Sequence, residues 1–152
     1  MTGYLCTASE LSRYVVGKCA REGKPVSNLQ LQKMLYFLQS VYCRATKGSL
    51  VFPDQFEAWP YGPVIASVYR EFSKYGGDVI DGCRDVTTIG ITGGPMSFLD
   101  SGIEELRDKS PWDLVRTSHA PGSPWDRIYE NGKGYKSPIP NELIIHAATG
   151  DE

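Results

Sequence analysis

The chain has 152 residues, 41% hydrophobic and 22% charged, with nine tyrosines, five phenylalanines and three tryptophans. A chain of this length buries roughly 68–70% of its unfolded surface, so it can build a core without staples, and the aromatic content excludes disorder. The formal net charge of −2 excludes the broad positive field of a non-specific nucleic-acid binder.

Charge is divided unevenly. Up to Gly76 there are nine Lys/Arg and five Asp/Glu, and beyond it seven and thirteen, giving +4 and −6. Two oppositely charged faces packed together are expected, or else a basic N-terminal patch for an acidic partner. Cys6, Cys19, Cys43 and Cys83 have no CxxC or zinc-finger spacing, and they read as reduced core residues of a cytosolic protein. Met1 to Tyr14 lacks the basic start and apolar stretch of a signal peptide, and no segment approaches the roughly 18 apolar residues of a membrane helix.

Thr7-Ala8-Ser9-Glu10 reads as a capping box, and Leu11, Val15 and Cys19 continue at helical spacing, so a first helix is expected over about 8–22. Gly23 supplies its left-handed stop, and Lys24-Pro25 prevents continuation. Ser27 with Gln30 repeats the capping signal. Leu31, Met34, Leu35, Leu38, Tyr42 and Ala45 then mark one side of a second helix ending near Gly48, with Gln32, Lys33, Gln39 and Arg44 on a solvent side. This longest apolar stripe makes the second helix the expected centre of the fold.

Residues 50–62 form a turn-rich connection with a short extended run at Gln55 to Trp59. Pro63 suits the first position of a third helix over about 63–75, carrying Ile65, Val68, Tyr69 and Phe72 inward and stopped by Gly76-Gly77. Between Asp78 and Pro95, only Val86 to Thr92 resembles a strand. Helix starts follow at Ser101 with Glu104, at Ser110-Pro111-Trp112-Asp113, at Ser123-Pro124-Trp125-Asp126 and at Pro140. The doubled Ser-Pro-Trp-Asp is helix-start chemistry, not a repeat. The expected fold is therefore a mainly α, compact single domain over 1–152, with at most a small β element near 55–60 or 86–92.

Chemistry is sparse. His119 and His146 are too few for a three-His zinc site and lack an HExxH frame. A Cys/His hydrolase centred on His119 is the alternative from another function class, but no cysteine is read at a helix N-terminus that would lower its pKa. Glu104-Glu105 diverge by about 100° on a helix, and Gly93-Gly94-Pro95 and Gly132-Lys133-Gly134 read as turns, not phosphate loops. No catalytic residue, metal or cofactor is expected. The distinctive feature is an excess of aromatics over what one core must enclose, and Tyr and Trp are typical binding hot spots.

Leu31 to Gln39, Phe56 to Val64, Val68 to Phe72 and Tyr75-Gly76, followed by Thr117-Ser118-His119 and Pro124-Trp125, resemble the Panacea domain of SocA-like antitoxins and phage-associated GepA-like proteins. The likeness runs from about Thr7 to Ala148. Its departures are a Gly-rich 78–109 and Ser118 in place of the usual Thr. The resemblance implies an antitoxin that binds and neutralises a cognate toxin encoded nearby, and in the SocA type also delivers it to the ClpXP protease. It brings no catalytic residues. Lys33, Tyr36, Gln39, Trp59, Tyr61, Arg70, His119 and Trp125 are the candidate partner-binding or motif residues, with His119 expected to be hydrogen-bonded near Trp125.

Overall fold

Capping chemistry sets the first two helices of the computed structural model, which describes residues 3–82 and 89–150. In α1 (Ala8–Arg21) the Thr7 hydroxyl accepts from the Glu10 N–H while Glu10 accepts from the Thr7 N–H, a complete capping box. Beyond it, Gly23 adopts φ 76° and the Lys24 N–H returns 2.8 Å to the Cys19 carbonyl. In α2 (Asn28–Thr46) Ser27 caps the Gln30 N–H. The Gln30 side chain does not reciprocate, donating instead to the Arg107 carbonyl at 2.9 Å.

α2 is the centre of the molecule and packs against α1, α3, α4, α5, α7 and β2. Leu31, Met34, Leu35 and Leu38 are fully enclosed. The expected solvent face is absent: Gln32, Lys33 and Gln39 are also fully buried. Neighbouring elements surround the helix, and these three side chains bond to their backbone. Only Arg44 of the expected polar face is exposed.

The connection after α2 forms β1 (Phe56–Trp59), the two-residue turn Pro60-Tyr61, and β2 (Gly62–Val64). β1 lies between antiparallel neighbours in the order β2-β1-β3, where β3 is Pro138–Ile139. Pro63 therefore sits on an edge strand opposite Ala58, not at a helix start, and an edge is where a strand tolerates a missing N–H. The third helix is correspondingly short, α3 at Ala66–Glu71, with a 3-10 turn at Ser73–Tyr75. β3 has no signal in the sequence, because two residues are too few for any alternation.

The second half is helical: α4 (Gly93–Arg107), α5 (Pro111–Ser118), α6 (Pro124–Tyr129) and α7 (Asn141–Thr149). α4 begins at Gly93, eight residues before Ser101, so Gly93-Gly94-Pro95 is its first turn and not a loop. Proline fits there, where an N–H has no partner within the helix. Of the strand-like run, Val86 to Thr88 lie outside the described residues, and Ile89 to Thr92 form no strand. The mainly α expectation holds, with three short strands at 56–64 and 138–139.

The charge asymmetry resolves into contacts between the two halves. Lys18 of α1 bonds Glu104 of α4 at 3.0 Å, Arg107 reaches Glu22, and Lys24 meets Asp108 at 2.8 Å. Lys18 and Arg107 are largely covered, but the carboxylates they meet face solvent, as do both partners of the Lys24 pair, and such pairs contribute on the order of 1 kcal/mol each, so they orient α4 on α1 more than they hold it. Apolar burial around α2 holds the fold. Leu35→Ala should lower stability by about 2–5 kcal/mol in urea unfolding, whereas Val41→Ala, on the 38% exposed outer position of α2, should change it by no more than about 0.5 kcal/mol.

Candidate functional site

The turn between β1 and β2 is held from below by side chains of α2. Lys33 Nζ donates to the Pro63 carbonyl at 2.7 Å, and the Gln32 side chain accepts from the Ile65 N–H at 3.0 Å. Gln32 also donates to Asn28, whose own amide donates to the Tyr69 carbonyl, tying α3 into the same chain of bonds. Seven residues along α2, Gln39 accepts from Val51 N–H at 2.7 Å and donates to the Phe52 carbonyl at 2.9 Å. These bonds satisfy irregular backbone that would otherwise be buried unpaired.

Lys33 has no carboxylate partner among the described residues. Burial alone pushes its pKa down to about 7, because a low-dielectric interior disfavours the ammonium. Gly62, at φ 109°, closes over it, and a Cβ there would lie 2.6 Å from Ser118 Oγ. The end of α5 thus presses directly on the hairpin.

A second brace comes from α6. Trp125 is buried, and its indole N–H donates 2.7 Å to the Trp59 carbonyl. His119 stacks on Trp125 at 3.8 Å between ring centres and 3° between planes, and Tyr129 also stacks on Trp125, at 4.7 Å. The expectation of a hydrogen-bonded His119 is corrected by this geometry. The indole N–H is already given to Trp59, and His119 Nε2 is buried with no partner. Burial and the nearby Lys33 hold the imidazole below its usual pKa, so it stacks as a neutral ring.

Above these braces lies an open groove of about 500 Å³. The N-terminus of α2, the β1–β2 turn, Tyr69 of α3, Gly76-Gly77, and Pro111 and Trp112 at the start of α5 form its walls. Trp59 and Tyr69 meet with ring centres 5.0 Å apart, and Tyr61 meets Trp112 edge-to-face at 5.4 Å. Tyr61 and Trp112 are 56% and 51% exposed. The Trp59 indole is anchored by its N–H to Glu57, with the Lys136 ammonium 4.9 Å over its ring.

The eight residues singled out in the sequence therefore divide. Lys33, Gln39, Trp125 and Tyr36 are interior, Tyr36 packing edge-to-face on Phe37 and Phe56. His119 is half-buried on the Trp125 ring, Trp59 and Tyr61 line the groove, and Arg70 is exposed beside Tyr69. Sequence reasoning placed Tyr69 on the inward stripe of the third helix, whereas it is 37% exposed and lines the groove, and it left Trp112 among the general aromatics. The signal for Trp112 is its place directly after Pro111, in a first helical turn whose following inward positions are Leu114 and Val115.

The thiol chemistry of a hydrolase finds no support here. Cys6, Cys19 and Cys43 are buried and free, and burial raises all three pKa values, Cys6 to about 12. Cys6 does stand just before the Thr7 cap of α1, but that position does not lower its pKa. Desolvation, with Glu10 and Asp54, outweighs that position. Cys83 lies outside the described residues. No group of three potential metal ligands occurs among the described residues, and no helix is long and apolar enough to cross a membrane.

The lowered pKa of Lys33 has a consequence for stability. The unfolded chain binds this proton up to its ordinary value of 10.5, while the folded chain releases it near 7. Stability is therefore gained as pH rises from about 7, up to about 1.4 kcal/mol per pH unit, and is lost as pH falls back. Lys33→Met should flatten this rise in urea unfolding between pH 7 and 8, below the range where the buried thiols, ordinarily near 9.0, begin to add an opposing dependence. Gly62→Ala, strained at its φ and against Ser118, should cost about 1–3 kcal/mol.

The family model "Antitoxin SocA-like, Panacea domain" matches residues 31–126, the span from α2 through Trp125 and Asp126 that contains most of this architecture. Antitoxin SocA from Caulobacter vibrioides (strain NA1000 / CB15N) is 34% identical over 143 residues, covering 84% of this chain and 72% of the relative. No solved structure matches. With most of α2, the β1–β2 hairpin and the Trp125 brace inside the matched span, the chain belongs to the SocA-like Panacea-domain antitoxin family.

Proposed function

We propose that this chain neutralises a cognate toxin by direct, stoichiometric binding, and that the toxin seats on the groove of Trp59, Tyr61, Tyr69 and Trp112. The observation that carries the reading is the presentation of this aromatic cluster to solvent by buried hydrogen bonds from α2 and α6. Large aromatic side chains contribute most to binding when they are rigid and already in place, since little side-chain freedom is lost on association. A standard interface covers about 800 Å² per partner. The groove would form its centre, and the exposed polar surface around it the rim.

Neutralisation by occlusion asks no chemistry of this chain. It requires shape, aromatic area and a rigid support, which the braced hairpin supplies. Delivery of the bound toxin to ClpXP is a further step that this surface would permit, since the groove occupies one side of the fold.

Co-expression with the neighbouring reading frame tests the proposal. Growth should be restored and the two proteins should co-purify. Trp112→Ala combined with Tyr61→Ala should abolish rescue while leaving the unfolding midpoint within a few degrees of the parent, because both residues are largely exposed. Rescue with a recoverable complex in cells lacking ClpXP would mark sequestration, and toxin loss only in its presence would mark delivery. Absence of both toxicity and complex for every neighbour would refute the reading.

A further inference from the structure

The polar groups of the groove narrow what it recognises, on the reading that the partner binds there. Its amide-bearing residues are committed internally: Asn28 and Gln32 bond each other, the Tyr69 carbonyl and the Ile65 N–H. The aromatic tips are not. The Trp112 indole N–H and the Tyr61 and Tyr69 hydroxyls make no hydrogen bond among the described residues, so the groove offers three uncommitted donors beside apolar rings. β2, the nearest strand edge, is unsuited to pairing with an added strand. Pro63 has no N–H, its carbonyl is taken by Lys33, and all three β2 residues are buried.

Donors beside ring pairs suit an extended segment that presents carbonyls and few N–H groups. A proline-containing polyproline II segment has that chemistry, because each proline lacks a donor, keeps an accepting carbonyl and offers a flat ring to aromatic faces. The Trp59/Tyr69 and Tyr61/Trp112 pairs supply two such aromatic seats along one groove.

Charge selects further. Within two residues of a lining position, the carboxylates Glu71 and Asp113 are ion-paired with Arg13 and Arg116. Glu57, which accepts from the Trp59 indole, and the exposed Asp78 keep their charges. Against these two stand the exposed cations Arg70, Lys74 and Lys109, which make no ion pair among the described residues, and Lys136 over Trp59. The border of the groove is net positive although the chain is net negative, so an acidic ligand is drawn to it.

We propose that the groove binds an extended, acidic, proline-containing segment of the partner protein, with prolines on the two aromatic pairs and carbonyls on Trp112, Tyr61 and Tyr69. Binding of the synthetic peptide acetyl-EEPPLPPLPPEE-amide, which has no aromatic residue, can be followed through the tryptophan fluorescence of the intact protein. Saturable binding is expected, weakened at least tenfold by Trp112→Ala. Trp112→Phe, which keeps the ring and loses the donor, should weaken it less than Ala yet measurably. Replacing the prolines by alanine, or the glutamates by lysine, should also cost at least tenfold, and affinity should fall with added salt. Equal binding of the alanine peptide, indifference to Trp112, or no binding at all would overturn the inference. If the peptide fails while Trp112→Ala with Tyr61→Ala still abolishes rescue, the antitoxin reading survives and only the proline segment is refuted. If the peptide binds as expected while rescue ignores the groove, the toxin seat is refuted and the segment specificity stands.

Discussion

A lysine enclosed with no carboxylate partner among the described residues is the constraint around which this fold is arranged. Lys33 is fully buried in the middle of α2, and its Nζ reaches the Pro63 carbonyl. An interior ammonium is costly and a partly satisfied one more so. The site tolerates it by lowering its pKa to about 7, keeping a backbone carbonyl in reach and placing a glycine where a Cβ would collide with Ser118. Gln32 and Gln39 extend the same principle along the helix. Each uses a buried amide to satisfy backbone that belongs to no regular ladder.

The consequence is a short, irregular hairpin that behaves as a fixed platform. Two- to four-residue strands contribute little by themselves, since a small isolated hairpin is marginal in water. Here β2 is fastened from α2 and β1 from α6, through the Trp125 bond to Trp59. The stack of His119, Trp125 and Tyr129 then fixes the tryptophan that makes this bond. The exposed aromatics of the groove are thus held partly by residues outside it, Lys33 and Trp125, and partly by Asn28 and Gln32 of its own lining, whose amides are spent on that support. Support is in this way largely separated from the exposed aromatic surface.

Membership of an antitoxin family agrees with this division. A surface prepared by internal hydrogen bonds, whose exposed aromatic donors make no hydrogen bond and whose bordering lysines and Arg70 make no ion pair among the described residues, is suited to recognition, where affinity depends on preorganisation more than on area. The buried thiols, shifted upward, and the neutral stacked His119 contribute to packing and to the support of the platform.

The sequence by itself determined the helical plan. Caps at Thr7 and Ser27, stops at Gly23 and Gly48, and the stripe of Leu31, Leu35 and Leu38 act over three or four residues, so their meaning does not depend on distant partners. The motif text from Leu31 to Trp125 likewise carried the family. Only the tertiary structure decided the rest. Gln32, Lys33 and Gln39 have the composition of a solvent face, and they became interior because the hairpin and the loop before it close over them. Pro63 fits a helix start locally, and became an edge-strand residue because β1 and α2 claimed its neighbours. Trp112 and Trp125 occupy the same Ser-Pro-Trp-Asp tetrapeptide, yet one is 51% exposed and the other 8%. The same Ser-Pro step starts both helices, although only Ser123 closes its cap, on the Asp126 N–H, and which tryptophan stays exposed depends on what packs against each helix, a long-range contact that four residues cannot encode.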